Sequence, residues 1–88
     1  MARRSKEHAQ RRHFNRRALE RLGVKVNGRQ YDALVADIQE GRARFVERQS
    51  NRITVWRVEI EGEPCGVVYD KLRGTLVTVL TVEMVGTA

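Results

Sequence analysis

The sequence has one cysteine, Cys65, so no internal disulfide can form, and no cluster of Cys and His has the spacing of a zinc site. A reducing compartment is the expectation. No apolar run approaches the roughly 18 to 20 residues that cross a bilayer, and no apolar segment follows the basic start as a secretory signal requires. These absences predict a cytoplasmic protein with no membrane partner. An Arg-rich, acid-poor start is also the composition of an organellar presequence, but here His13 to Leu22 continues into patterned structure. Glycine-rich phosphate loops, repeats and low-complexity stretches are missing. The acids are scattered, without the paired carboxylates of glycoside chemistry. Neither a metal nor an organic cofactor is implied. With 88 residues, 41% of them hydrophobic, the chain fits one small domain and excludes a two-domain enzyme.

What is abundant is arginine. The formal charge is +6, and residues 1–22 carry all of it: eight basic residues (Arg3, Arg4, Lys6, Arg11, Arg12, Arg16, Arg17, Arg21) against Glu7 and Glu20. The remaining 66 residues are electrically balanced. Only Lys6, Lys25 and Lys71 are lysines, and the planar guanidinium grips phosphate oxygens in pairs where an ammonium offers a point charge. An anionic partner is therefore expected, either nucleic acid or a protein with an acidic surface. A solvated helix face that only confers solubility is the competing explanation.

From about Ser5 to Leu22 there is no Pro or Gly, and good helix formers dominate. Ser5 is a candidate cap, and Gly23 stands where a left-handed residue ends a helix. Phe14, Ala18 and Leu22 fall in one row, with Leu19 beside them, giving a narrow apolar stripe on a broadly basic helix. Asn27 and Gln30 form a candidate capping box for a second helix, closed by Gly41, with Tyr31, Leu34, Val35 and Ile38 at helical spacing. The pattern then changes to strands at Ala43–Gln49, Ile53–Ile60, Cys65–Tyr69 and Thr75–Val82, joined by separators short enough for hairpins. Two helices followed by four such strands predict an α+β fold, with two N-terminal helices packed on a four-stranded antiparallel meander. Residues 1–7 read as a basic arm, 8–82 as the domain and 83–88 as a tail. In the second strand Trp56, Val58 and Ile60 define an apolar side that should meet the helices.

Several constellations carry potential chemistry. His13, Arg17 and Arg21 are four residues apart, so on a helix they form one column beside the apolar stripe. His8, Arg12 and Arg16 repeat the spacing on another face. A neutral imidazole can take a 2′-hydroxyl proton near neutral pH, and guanidinium groups can stabilise charge on a phosphorane. The same residues also make sense as a helix surface that only binds phosphate or salt-bridges across the fold. Strict alternation puts Thr78 on one side with Leu76 and Leu80, a hydroxyl among leucines. It likewise puts Arg44 with Arg48, which with Arg57 would extend the basic surface over the sheet, unless they pair with Glu47, Glu59 or Glu61. Trp56 and Tyr69 are either stacking platforms or core residues. Cys65 has no basic neighbour to stabilise a thiolate and reads as a small buried apolar residue.

The run His13-Phe-Asn-Arg-Arg17-Ala-Leu-Glu-Arg21-Leu-Gly23, a helix closed by Gly41, and a meander ending Val-Val-Tyr-Asp70 and Gly74-Thr-Leu-Val-Thr78-Val-Leu resemble small RelE-like domains of the barnase, EndoU, colicin and RelE ribonuclease superfamily. The likeness covers roughly residues 8 to 81. It implies a two-helix, four-stranded domain that cleaves RNA without a metal, through 2′-hydroxyl attack leaving a 2′,3′-cyclic phosphate. On that resemblance His13 is the general base or acid, Arg17 and Arg21 the phosphate-binding pair, and Thr78 the last-strand hydroxyl. Arg11, Arg12, Arg16, Arg48 and Arg57 are candidate nucleic-acid contacts. Two departures point towards binding: Leu22 separates Arg21 from the glycine, and a second His-Arg column precedes the first. The expected partner is RNA. The alternative is a non-catalytic inhibitor of phage type that sets its Arg-rich helix on the anionic surface of a host enzyme. A duplex-DNA accessory is a third reading.

Overall fold

A computed structural model describes the backbone of residues 2–85 and the side chains of residues 9–85. Helix α1 spans Ala2–Leu22 and α2 Gly28–Gln39; strands β1 (Arg44–Arg48), β2 (Ile53–Ile60), β3 (Glu63–Asp70) and β4 (Thr75–Leu80) follow, and a short α3 (Val82–Val85) comes last. The strands form one antiparallel sheet in the order β1-β2-β3-β4. The α+β architecture of two helices followed by a meander is therefore as the pattern predicts.

Local chemistry explains most boundaries. The Asn27 side chain accepts from the Gln30 amide at 2.8 Å while the Gln30 side chain accepts from the Asn27 amide at 2.9 Å, so the capping box that starts α2 is complete. Glu61 and Gly62 both have positive φ, at 52° and 80°, the two-residue geometry that matches strand twist in a hairpin. Because the turn needs only those two residues, β3 begins at Glu63, two positions earlier than its hydrophobicity suggests. Pro64 is tolerated there because β4 reaches only as far as Gly66, leaving Pro64 a neighbour on one side alone.

Three expectations are corrected at the ends of the chain. The α1 backbone starts at Ala2, so Ser5 lies inside the helix and does not cap it, and most of the stretch read as an arm belongs to α1. The side chain of His8, and with it the upper end of the second column, lies outside the described residues. The segment read as a tail begins with α3, which packs on β3 over Gly66, where a Cβ would overlap Cγ2 of Val85. Any larger side chain at position 66 forces the Val85 side chain to move.

The core lies between the sheet and α1 and α2. Phe14, Ala18, Tyr31, Leu34 and Ile38 meet Ile60, Cys65, Val67, Tyr69, Leu76 and Val79, with Trp56 and Val58 partly buried against them. Burial, followed by the charge of Glu63, pushes the Cys65 thiol up to about 11, which keeps it protonated. Tyr69 is buried and receives a hydrogen bond from Gln39 Nε2 at 2.9 Å, so it is a core residue and not a stacking platform.

Asp70 organises the far end of the sheet. Its carboxylate is almost wholly buried and accepts from Arg52 Nε at 3.2 Å and Nη2 at 2.6 Å, and from the amides of Leu72 and Arg73 at 3.0 and 3.2 Å. It thus ties the β1–β2 connection to the β3–β4 turn. The Arg52 hydrogen bonds outweigh burial and hold the Asp70 carboxyl below the ordinary carboxylate range. Arg52 itself is 43% exposed, so water weakens the ionic part and the turn amides carry a large share. Asp70→Asn should lower stability by about 2 kcal/mol at pH 7. A carboxyl depressed in the folded state stabilises it above its unfolded pKa, and that contribution fades as pH falls through the folded value. The gap between wild type and variant in urea unfolding should therefore narrow below about pH 4. An unchanged gap at pH 3 would rule out the carboxylate as its source.

Candidate functional site

The candidate catalytic residues sit on two elements, α1 and β4, and the candidate nucleic-acid contacts Arg48 and Arg57 on β1 and β2. Strand β4 is an edge strand, and helix side chains occupy its backbone groups. Tyr31 Oη accepts from the Leu76 amide at 2.9 Å and donates to the Leu76 carbonyl at 3.4 Å. Arg21 Nη1 donates to the Val79 carbonyl at 2.6 Å. These bonds cover an edge that would otherwise be open to pairing with another strand. The Tyr31 bonds fasten α2 to β4, and the Arg21 bond fastens α1 there at Val79, next in sequence to Thr78.

The two flanks of α1 have different employment. Arg11 faces α2, with Nη2 2.7 Å from Asp32 Oδ1 and its guanidinium 4.7 Å from the centre of the Tyr31 ring. It bridges the two helices through an exposed ion pair and a contact over the Tyr31 ring. At 3.6 residues per turn His13 lies about 200° round the helix from Arg11, so the column of His13, Arg17 and Arg21 occupies the flank away from α2. His13 is half-buried and makes no hydrogen bond or ion pair among the described residues. Arg17 Nη1 rests 2.9 Å from Glu20 Oε1, an exposed pair worth little against a phosphate competitor. Arg21 spends one of its five N–H donors on Val79 and keeps the rest. Arg12 and Arg16 are exposed, and no ion pair engages either of them among the described residues.

Two β-bulges overturn the expected sidedness of the strands. In β4 the pairing passes from Tyr69↔Leu76 to Val68↔Thr78, leaving Val77 as an extra residue. Leu76 and Val79 therefore face the helices, while Thr78 is turned to the opposite face with Val68 and is separated from Leu76. Thr78 is half-buried there and forms no hydrogen bond among the described residues. Bulges of this kind re-aim a side chain, and here the hydroxyl leaves the apolar core. In β1 the pairing passes from Phe45↔Trp56 to Glu47↔Val55, leaving Val46 extra. Arg44 therefore opposes Arg57 on the outer face, while Arg48 falls on the helix face opposite Thr54. The predicted alignment of Arg44 with Arg48 does not exist. Nor does any ion pair join Arg44, Arg48 or Arg57 to Glu47, Glu59 or Glu61 among the described residues.

Two like charges directly opposed across a strand pair, Arg44 and Arg57, are unfavourable without a counter-charge. They line a shallow recess with Val58, Glu59 and Pro64, where the Glu59 carboxylate is the acidic group. A second cleft, of about 330 Å³, lies on the α2 flank of α1 between Arg11, Asp32, Gln39, Arg73 and Thr75. It does not include His13. Sequence spacing therefore locates the column and its helix, but not the concave surface nearby.

Compared with protein-family models, curated proteins and solved structures, the chain finds no match. No helix among the described residues is long and apolar enough to cross a membrane.

Proposed function

We propose that this protein binds RNA through α1 and cleaves it without a metal. The observation that carries the reading is the hydrogen bond from Arg21 to the Val79 carbonyl, which holds the His13, Arg17, Arg21 column against the strand bearing Thr78. A phosphodiester laid along that flank meets Arg17, which readily leaves Glu20, and the remaining donors of Arg21. His13 takes the 2′-hydroxyl proton; the 2′-oxygen attacks phosphorus, the bond to the 5′-oxygen breaks as water protonates that oxygen, His13 returns its proton to solvent, and the products are a 2′,3′-cyclic phosphate and a 5′-hydroxyl end. Thr78, paired with Val68 on the sheet face away from α1, takes no part in this step, contrary to what the resemblance implies. Arg12 and Arg16 extend the track along the helix, and Arg57 with Arg44 provides a second basic patch on the sheet. Arg11 lies on the flank towards α2, paired with Asp32.

Incubating single-stranded RNA with the protein in excess chelator tests this directly. Fragments ending in 2′,3′-cyclic phosphate are expected; absence of turnover removes the catalytic assignment. One observation favours a binding-only protein, such as an inhibitor seated on an acidic host enzyme: among the described residues no hydrogen bond or ion pair orients the His13 ring. That reading requires no turnover together with one stoichiometric protein partner recovered after nucleic acid is digested.

A further inference from the structure

Four of the five aromatic side chains are buried or half-buried, but Phe45 is 52% exposed. It stands on the helix face of β1, an edge strand beyond the cover of the core helices, with its ring 5.3 Å from that of Trp56 at an interplanar angle of 75°. Trp56 is fixed from below: it packs on the core and its indole N–H donates to Thr54 Oγ1 at 2.8 Å. The bulge at Val46 then has a second effect. In a regular strand Phe45 and Arg48 would point to opposite faces; with one residue extra they share a face, Phe45 opposite Trp56 and Arg48 opposite Thr54. Arg48 is exposed and has no ion-pair partner among the described residues.

We infer that Phe45, held edge-on by Trp56 and flanked by Arg48, is a stacking platform for one base of single-stranded RNA. The inference rests on the RNA-binding reading and adds a subsite on the sheet, away from the α1 column. A single exposed ring is matched in size to a base, whose π-face stacks on any aromatic surface. The guanidinium beside it suits the phosphate joined to that base. Of the charged residues in 42–48 only Arg48 shares the face of Phe45, because Arg44 and Glu47 face the other side of the sheet and Arg42 is paired with Asp37 and Glu40. An apolar protein partner fits less well, since one ring falls far short of the roughly 800 Å² per side of a stable interface.

Trp56 is the only tryptophan, so its fluorescence reports on this spot alone. The full chain is titrated with a 2′-O-methyl uridine octamer, which lacks the nucleophilic hydroxyl and survives any cleavage activity, and with an abasic octamer of equal charge. Binding is read by anisotropy of a 5′ dye in parallel with Trp56 emission. The base-bearing octamer should bind about tenfold more tightly than the abasic one and should change Trp56 emission. Phe45→Ala should erase that preference while leaving the abasic affinity unchanged. Phe45→Leu, which keeps apolar cover but no π-face, should do the same and guards against a folding defect. Equal affinities for the two octamers, or an unaltered preference in both variants, overturns the platform and leaves RNA binding standing. No binding of either octamer overturns the RNA reading and the platform with it. Self-association of the wild type that Phe45→Ala abolishes assigns the ring to a second copy of the chain, and also overturns the proposal.

Discussion

Phe14→Ala should remove about 3 to 5 kcal/mol of folding stability, a large part of what an 88-residue domain possesses. Phe14 is fully buried and meets the Tyr31 ring edge-on at 5.5 Å. Among the described side chains of α1 only Phe14 and Ala18 are fully buried, with Leu22 partly so. Alanine at 18 contributes little area, and one phenyl ring is therefore most of the apolar anchor of a long, highly charged helix. Losing it should also separate the functional column from β4, so RNA affinity and any cleavage should fall with stability. Urea unfolding followed by circular dichroism measures the effect. A loss under about 1 kcal/mol would mean that polar contacts, Arg11 with Asp32 and Arg21 with Val79, hold α1 in place.

His13→Ala should reduce RNA cleavage by about 100-fold or more, the usual share of a proton-transfer catalyst. Its fold should be unchanged, because the imidazole makes no hydrogen bond or ion pair among the described residues. Arg17→Ala should also slow the reaction steeply and, unlike His13→Ala, weaken binding of an uncleavable RNA, since its charge is spent on phosphate. The Arg17–Glu20 pair is exposed at both ends, so losing it should leave stability nearly unaltered. Single-turnover cleavage beside equilibrium binding separates the two roles. Undiminished cleavage in both variants would dissolve the proposed site. A proportional loss of binding and cleavage in His13→Ala would make the histidine a contact and not a proton carrier.

Short-range signals were reliable guides to the elements. Asn27 and Gln30 cap α2 as their spacing suggests, because a capping box closes within four residues and depends on nothing distant. Phe14 and Ala18 are buried because helical periodicity alone places them in one row. The column of His13, Arg17 and Arg21 follows from the same arithmetic. Strand sidedness did not: the bulges at Val46 and Val77 each add one residue, and with a period of two every later side chain changes face. No local feature of Arg44–Arg48 or Thr75–Leu80 announces the extra residue. It exists because a partner strand fixes the register on either side.

The sequence by itself determined the α+β class, the helix that concentrates the positive charge, and the relative positions of His13, Arg17 and Arg21 upon it. Those are properties of composition and of one element's pitch. Only the tertiary structure decided which arginines are occupied: Arg11 by Asp32, Arg21 by a strand carbonyl and Arg52 by Asp70, with Arg12, Arg16, Arg48 and Arg57 in no ion pair among the described residues. It also decided that Thr78 turns away from the core and that Phe45 and Arg48 share a face. The reason is that a charge becomes a binding group or a structural one according to what packing brings within about 3 Å of it. That distance is set by segments far apart along the chain.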